Sequence, residues 1–280
     1  NPIGNIHINA FNQFCGGGSW VFSVIADAQG NFTIYGVPEG EIFLSTCSEC
    51  AGLHYINEWY GGALLSDCGS AASATVSAGS TTAGVDFQLE LGGTITGRVT
   101  DHNDAPIPNL QIDAIPGRCD YSNGSFGTQT DQNGYYTLAG VPAGDMYVQA
   151  CATCTGQDYI NEWYGGGSDC NQAQPVSVPL GASTGSIDFQ LLPGATVTGR
   201  ILDAAGSPIE NVHVYAIDSA CDGTWLSGTN SDVDGYYTLG GLPPGDVFIH
   251  ACPSCSGQIP PLNYVSQWYG GTLDCNQAQA

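Results

Sequence analysis

The chain has 280 residues, with 26 acidic side chains against 3 basic ones and a formal charge of −23 at neutral pH. A surface of that sign repels phosphate backbones and anionic lipid, which excludes nucleic acid and acidic membranes as partners. The 42% hydrophobic and 10% aromatic content is nevertheless enough apolar material for a packed fold.

The pattern PIGNIHINA at 2–10 returns as PIPNLQIDA at 106–114 and PIENVHVYA at 208–216, at intervals of 104 and 102 residues. Repetition on that scale marks a tandem array of one module. Within this block Leu110, Ile112 and Ala114 alternate with Gln111 and Asp113, the period-two signature of a strand with one wet face. Next come DAQGNFTIYGVPEGE (27–41), DQNGYYTLAGVPAGD (131–145) and DVDGYYTLGGLPPGD (232–246), each an Asp-x-x-Gly hairpin turn, a strand and a Pro-x-Gly turn. YINEWYGG follows at 55–62 and 159–166, and YVSQWYGG at 264–271. VDFQL (85–89) and IDFQL (187–191) close the first two copies, and four residues later each runs into an opening strand, TITGRVTD (94–101) or TVTGRILD (196–203).

No stretch keeps a helical period, and about seven strands per copy fit a two-sheet sandwich. The expected fold is all-β: three seven-stranded, Ig-like or transthyretin-like sandwiches over residues 1–91, 92–193 and 194–280. As written, the first copy lacks its opening strand and the third its closing strands, which predicts open edges at both ends. A slice of a longer array accounts for this inventory better than strand exchange between subunits, because no spare strand is present to donate.

The opening TITGRVTD and TVTGRILD, the Asp-x-x-Gly-Tyr-Tyr-Thr-Leu hairpin, the Val/Leu-Pro-x-Gly turn and the closing Ile-Asp-Phe-Gln-Leu together resemble the carboxypeptidase regulatory-like family of transthyretin-like or Cna-B-like sandwiches. That resemblance implies a bacterial surface or secreted protein. It is specific for fold and uninformative for function. The chain has no lysine, its basic residues being Arg98, Arg118 and Arg200, so lysine–asparagine isopeptide cross-linking is excluded.

Each copy carries four cysteines: Cys15, Cys47, Cys50 and Cys68; Cys119, Cys151, Cys154 and Cys170; Cys221, Cys252, Cys255 and Cys275. Two disulfides per copy, formed in an oxidising compartment, are expected. A zinc site would usually show two Cys-x-x-Cys knuckles where each copy has one, and a haem would need a histidine after the motif. No cofactor is expected. Side-chain parity leans towards pairing first with second and third with fourth, as in Cys119–Cys151 and Cys154–Cys170. Against it, antiparallel strands would hold Cys119 and Cys151 at opposite ends.

The aromatic loops, Trp59–Tyr60, Trp163–Tyr164 and Trp268–Tyr269, are candidates for an interface or a sugar platform, or else cover the sandwich beside a disulfide. Asp131 and Asn133, and Asp232 and Asp234, resemble half of a calcium loop but lack the distant bidentate glutamate, so hairpin turns are the plainer reading. Asn31 and Asn123 stand in glycosylation tripeptides. No catalytic grouping is apparent, and an enzyme is not expected. The function anticipated is a structural array of an extracellular stalk or filament whose partner is itself. The alternative is a carbohydrate-binding accessory module of a larger secreted protein, with glycans as partners.

Overall fold

The computed structural model describes residues 1–13, 20–65, 67–118, 121, 124–257 and 262–280. The protein is all-β, and the helical segments among these residues are 3-10 turns of three or four residues. Cys15, Cys119 and Asn123 lie outside the described residues.

The first copy folds into one sheet of β1 (His7–Phe11), β2 (Trp20–Ile25), β3 (Gly40–Cys47), β4 (Glu58–Trp59), β5 (Ala63–Leu64) and β6 (Ser73–Val76). Its order is β2-β1-β3-β4-β5, with β6 beside β3. The second copy shows the full sandwich. One sheet joins β7 (Gly93–Asp101) to β10 (Tyr135–Val141), β14 (Ser183–Thr184) and β15 (Phe189–Leu191). The other joins β8 (Gln111–Ile115), β9 (Phe126–Gln129), β11 (Gly144–Cys151), β12 (Glu162–Trp163) and β13 (Val176–Val178). Seven of these nine strands have three residues or more. In the third copy β16 (Ala195–Arg200) pairs with β19 (Tyr236–Leu242). Facing them is a sheet ordered β18 (Trp225–Asn230), β17 (His213–Ile217), β20 (Phe248–Cys252) and β21 (Gln267–Trp268).

The alternation read from sequence sets the faces. Leu110, Ile112 and Ala114 are fully buried between the sheets with Ile95, Val148 and Leu191, while Gln111 and Asp113 project from the outer face. The closing strand explains the opening one. β15 runs parallel to β7, pairing Phe189 with Val99 and Leu191 with Asp101. The Asp188 carboxylate accepts the Arg98 N–H at 2.8 Å, and the buried Tyr136 hydroxyl donates to the Ile187 carbonyl. Gly97 is required there, since a Cβ would stand 1.9 Å from the Ile187 carbonyl oxygen.

Among the described residues β16 has no such neighbour, and Val197 is half-buried where its counterpart Ile95 is fully buried. In the first copy Val85, Phe87 and Leu89 pack against the core without a strand partner.

The junctions between copies are paired backbone. Glu90–Gly92 lies along the aromatic loop of the first copy: the Ile56 N–H donates to the Glu90 carbonyl (2.9 Å) and the Gly92 N–H to the His54 carbonyl (2.8 Å). The second junction repeats this, with Ile160 donating to Leu192 (2.9 Å) and Gly194 to Asp158 (2.8 Å). Close glycine contacts complete each joint. A Cβ on Gly92 would meet the Gly140 backbone at 2.5 Å, and one on Gly194 the Gly241 backbone at 2.4 Å.

Candidate functional site

In each copy the Cys-x-x-Cys turn and the aromatic loop come together at the end of the cysteine-bearing strand. At the end of β11 the chain turns through a short 3-10 segment, Thr153–Thr155, that stops at Gly156 with φ +69°. Cys151 and Cys154 are bonded across this turn, as are Cys47 with Cys50 and Cys252 with Cys255. The remaining pair is seen in the third copy, where Cys221 bonds to Cys275. Cys170, the counterpart of Cys275, is also disulfide-bonded.

This corrects the pairing of first with second and third with fourth. The reason is the strand register. Cys151 sits opposite Gln111, at the start of β8, whereas Cys119 follows the end of that strand. Cys151 thus stands beside the start of β8, and its sulfur bonds the cysteine three residues on.

In the aromatic loop successive residues have separate tasks. Tyr159 bridges to Pro193 at the junction. Asn161 clamps the disulfide turn, accepting the Thr153 N–H (3.0 Å) and donating to the Thr153 hydroxyl (2.7 Å). In the first copy Asn57 accepts the N–H of Ser48, one residue before the counterpart of Thr153. Trp163 then faces the outer side of the sheet and Tyr164 the core, as strand alternation dictates. Trp163 is only 4% exposed, packed with Ile115, Cys170 and Ala173, with the Tyr121 ring 6.2 Å away. Tyr164 stacks edge-on against Phe189 of the closing strand, as Tyr60 does against Phe87. Trp59 and Trp268 are half-buried on the same outer face, against Phe11 and His250 respectively. Tyr269 is 58% exposed.

The calcium candidates form closed turns. Asp131 accepts the N–H groups of Asn133 (2.8 Å) and Tyr135 (2.9 Å), and Asp232 those of Asp234 (3.0 Å) and Tyr236 (2.8 Å). The Asn133 and Asp234 carbonyls accept from Arg98 and Arg200, whose guanidinium groups lie over Tyr135 and Tyr236. A fixed positive charge stands where a cation would need oxygen. Among the described residues no cluster of three metal-ligating side chains occurs. Asn31 is exposed, but its side-chain amide donates to Asp27.

Sequence reading passed over Trp20 and Trp225, although each is the first residue of an edge strand and a large exposed ring, at 62% and 49%. Trp225 faces a cleft of about 420 Å3 between the second and third copies, which Tyr121 and Trp163 also line. Asp113 sits in that cleft, and burial pushes its carboxyl above the usual range.

Two populations of carboxylate predict a pH optimum of stability. Burial raises Glu58, Asp113 and Glu162, so their ionised forms cost folding free energy that is recovered as pH falls through the raised values. Asp27, Asp101 and Asp169 are lowered chiefly by backbone N–H donors, and Asp274 by the Asn276 side chain. Their stabilisation is complete above the ordinary value of 3.8 and lost below it. Melting temperature should therefore rise from pH 7 towards about 4.5 and fall below about 3.5. A monotonic loss on acidification would contradict this assignment.

The family comparison agrees with the architecture. The family model described as the carboxypeptidase regulatory-like domain matches residues 94–191 and 196–257, more than half of the chain. No curated protein sequence matches. Among solved structures the chain is similar to the Bacillus anthracis TIE protein, at 10% identity over 90% of this chain and 46% of that one, TM-score 0.26. It thus spans less than half the length of that protein. A streptococcal ancillary pilin is similar at 11% identity over 85% and 73%, TM-score 0.27. GBS52, the minor pilin of Streptococcus agalactiae, is similar at 12% over 69% and 84%, TM-score 0.26. With the opening, hairpin and closing motifs assembled into one sandwich core and the family match covering most of two copies, the chain belongs to the carboxypeptidase regulatory-like domain family.

Proposed function

We propose that the chain is a stiff structural segment of an extracellular, bacterial stalk or filament, acting by resisting bending and proteolysis. The observation that carries this reading is the strand-paired junction, repeated with the same hydrogen bonds between copies one and two and between copies two and three. A free linker of four residues would leave the modules to swivel. Here the linker is the partner strand of the preceding copy's aromatic loop, so bending requires breaking backbone hydrogen bonds. Disulfides in every copy support an oxidising, external location. The absence of lysine leaves trypsin-like proteases three sites. Burial of Trp163 favours packing over a sugar platform at that ring.

Small-angle scattering of the oxidised chain tests this. Three modules in a rigid line give a maximum dimension on the order of 100 Å and one narrow conformational population. A broad distribution of bent forms would overturn the rod. Whether rods associate end to end is read from electron micrographs of the concentrated protein, where filaments are expected.

A further inference from the structure

The cleft between the second and third copies is not needed for stiffness, and its lining is chemically selective. Its aromatic walls are Tyr121 and Trp163 of the second copy, 6.2 Å apart and edge-on, and Trp225 of the third. The Asp113 side chain enters from the outer face of β8, opposite Gly127 of β9, where a side chain would collide with it. We infer that this cleft is a binding site for an alkylated ammonium cation, seated against the exposed rings of Tyr121 and Trp225, with buried Trp163 behind Tyr121 and the charge on the Asp113 carboxylate.

Three observations select that chemistry. First, Asp113 is half-buried and has no cationic partner among the described residues. It accepts from Gln111 (2.8 Å), and the three arginines are placed over Tyr135, Tyr147 and Tyr236. Burying a carboxylate this way is unfavourable unless a cation arrives. Second, the two amides of the lining that would read sugar hydroxyls are already engaged, which leaves the Ser168 and Thr224 hydroxyls for that task. Gln149 accepts from the Tyr121 hydroxyl, and Asn161 holds the Thr153 turn. Third, apart from Ser168 and Thr224 the rest of the lining is apolar, including the Cys151–Cys154 disulfide, Ile160 and Leu226. A hydrated metal ion or primary ammonium would lose water there without enough oxygen ligands, whereas methylated nitrogen is weakly hydrated and attracted by ring faces. The net charge of −23 raises the local concentration of any such cation. The first junction is a natural contrast, because Asn9 occupies the place of Asp113 in the repeat, and β9, the counterpart of β18, begins with Phe126 where β18 begins with Trp225. One such site is expected among the described residues.

The test is titration of the full oxidised chain with choline chloride at constant ionic strength, read by calorimetry and tryptophan emission. Its uncharged carbon isostere, 3,3-dimethylbutan-1-ol, is run in parallel, together with neutral oligosaccharides. Saturable binding of one choline per chain is expected, about tenfold weaker in Trp225→Ala and in Asp113→Asn, and about tenfold weaker for the isostere. Trp225→Phe, which keeps a ring, should retain most of the affinity and guards against loss of fold in the alanine variant. Equal binding of choline and isostere, unchanged binding in both disruptive variants, no saturation, or binding of a saccharide instead of choline would each overturn the assignment. None of these outcomes bears on the junction hydrogen bonds, so the rod stands or falls separately.

Discussion

Replacing Cys221 and Cys275 together by serine is expected to destabilise the third copy by about 4 kcal/mol, while replacing Cys252 and Cys255 costs about 1.5 kcal/mol. The difference follows from chain entropy. The first bond closes a loop with a sequence separation of 54, the second one of 3. In the unfolded chain the long loop forfeits far more conformations when tied, so its bond raises the free energy of that state more. The local bond instead fixes the turn after β20, where Ser256 also donates to the Pro253 carbonyl (3.0 Å). Guanidinium unfolding without reductant, followed through Trp225 and Trp268 emission, measures both variants. Equal losses would mean that native-state packing around the sulfurs, and not loop closure, sets their contribution.

The pairing behind that prediction was the part of the fold least legible in the sequence, although the strands themselves were plain. Alternation at Leu110, Ile112 and Ala114 identifies a buried face because the pleat forces it. Cysteine partners depend on register, which links residues far apart in the chain. Only when Cys151 is seen opposite Gln111 and bonded to Cys154 does its partner become a fact. The candidate site shows the same division. The repeated Trp-Tyr motif announced a shared structural task, and Tyr164 and Trp163 on opposite faces fulfil it. Trp225 escaped notice because its strand has no alternation to advertise it, and its importance arises from a neighbouring copy. Arg98 and Arg200 were read only as scarce cations. Their stacking on Tyr135 and Tyr236 and their hydrogen bonds to the hairpin carbonyls explain why an arginine follows the glycine of each opening strand.

Gly241→Ala should loosen the second junction by about 2 kcal/mol, the scale of the two backbone hydrogen bonds it holds together, shifting the balance towards bent forms roughly thirtyfold. Gly241 has φ +70°, and a Cβ there would stand 2.6 Å from the Tyr159 carbonyl oxygen and 2.5 Å from Thr153 Cγ2, both in the preceding copy. Neither neighbour can yield cheaply, because Tyr159 is paired with Pro193 and Thr153 is clamped by Asn161. The added methyl therefore pushes one module away from the next. Gly245→Ala supplies the control: its φ is +130°, but a Cβ would meet nothing within 4 Å. It carries the cost of an unfavourable backbone without the collision, so it should lower stability of the third copy while leaving the bend angle alone. Distance distributions between spin labels placed on copies two and three separate the cases. Broadening in Gly241→Ala and not in Gly245→Ala is the expected result. Should both variants keep the narrow distribution of the parent chain, close glycine contact is not what aligns the modules, and the stiffness must reside in the hydrogen-bonded linker alone.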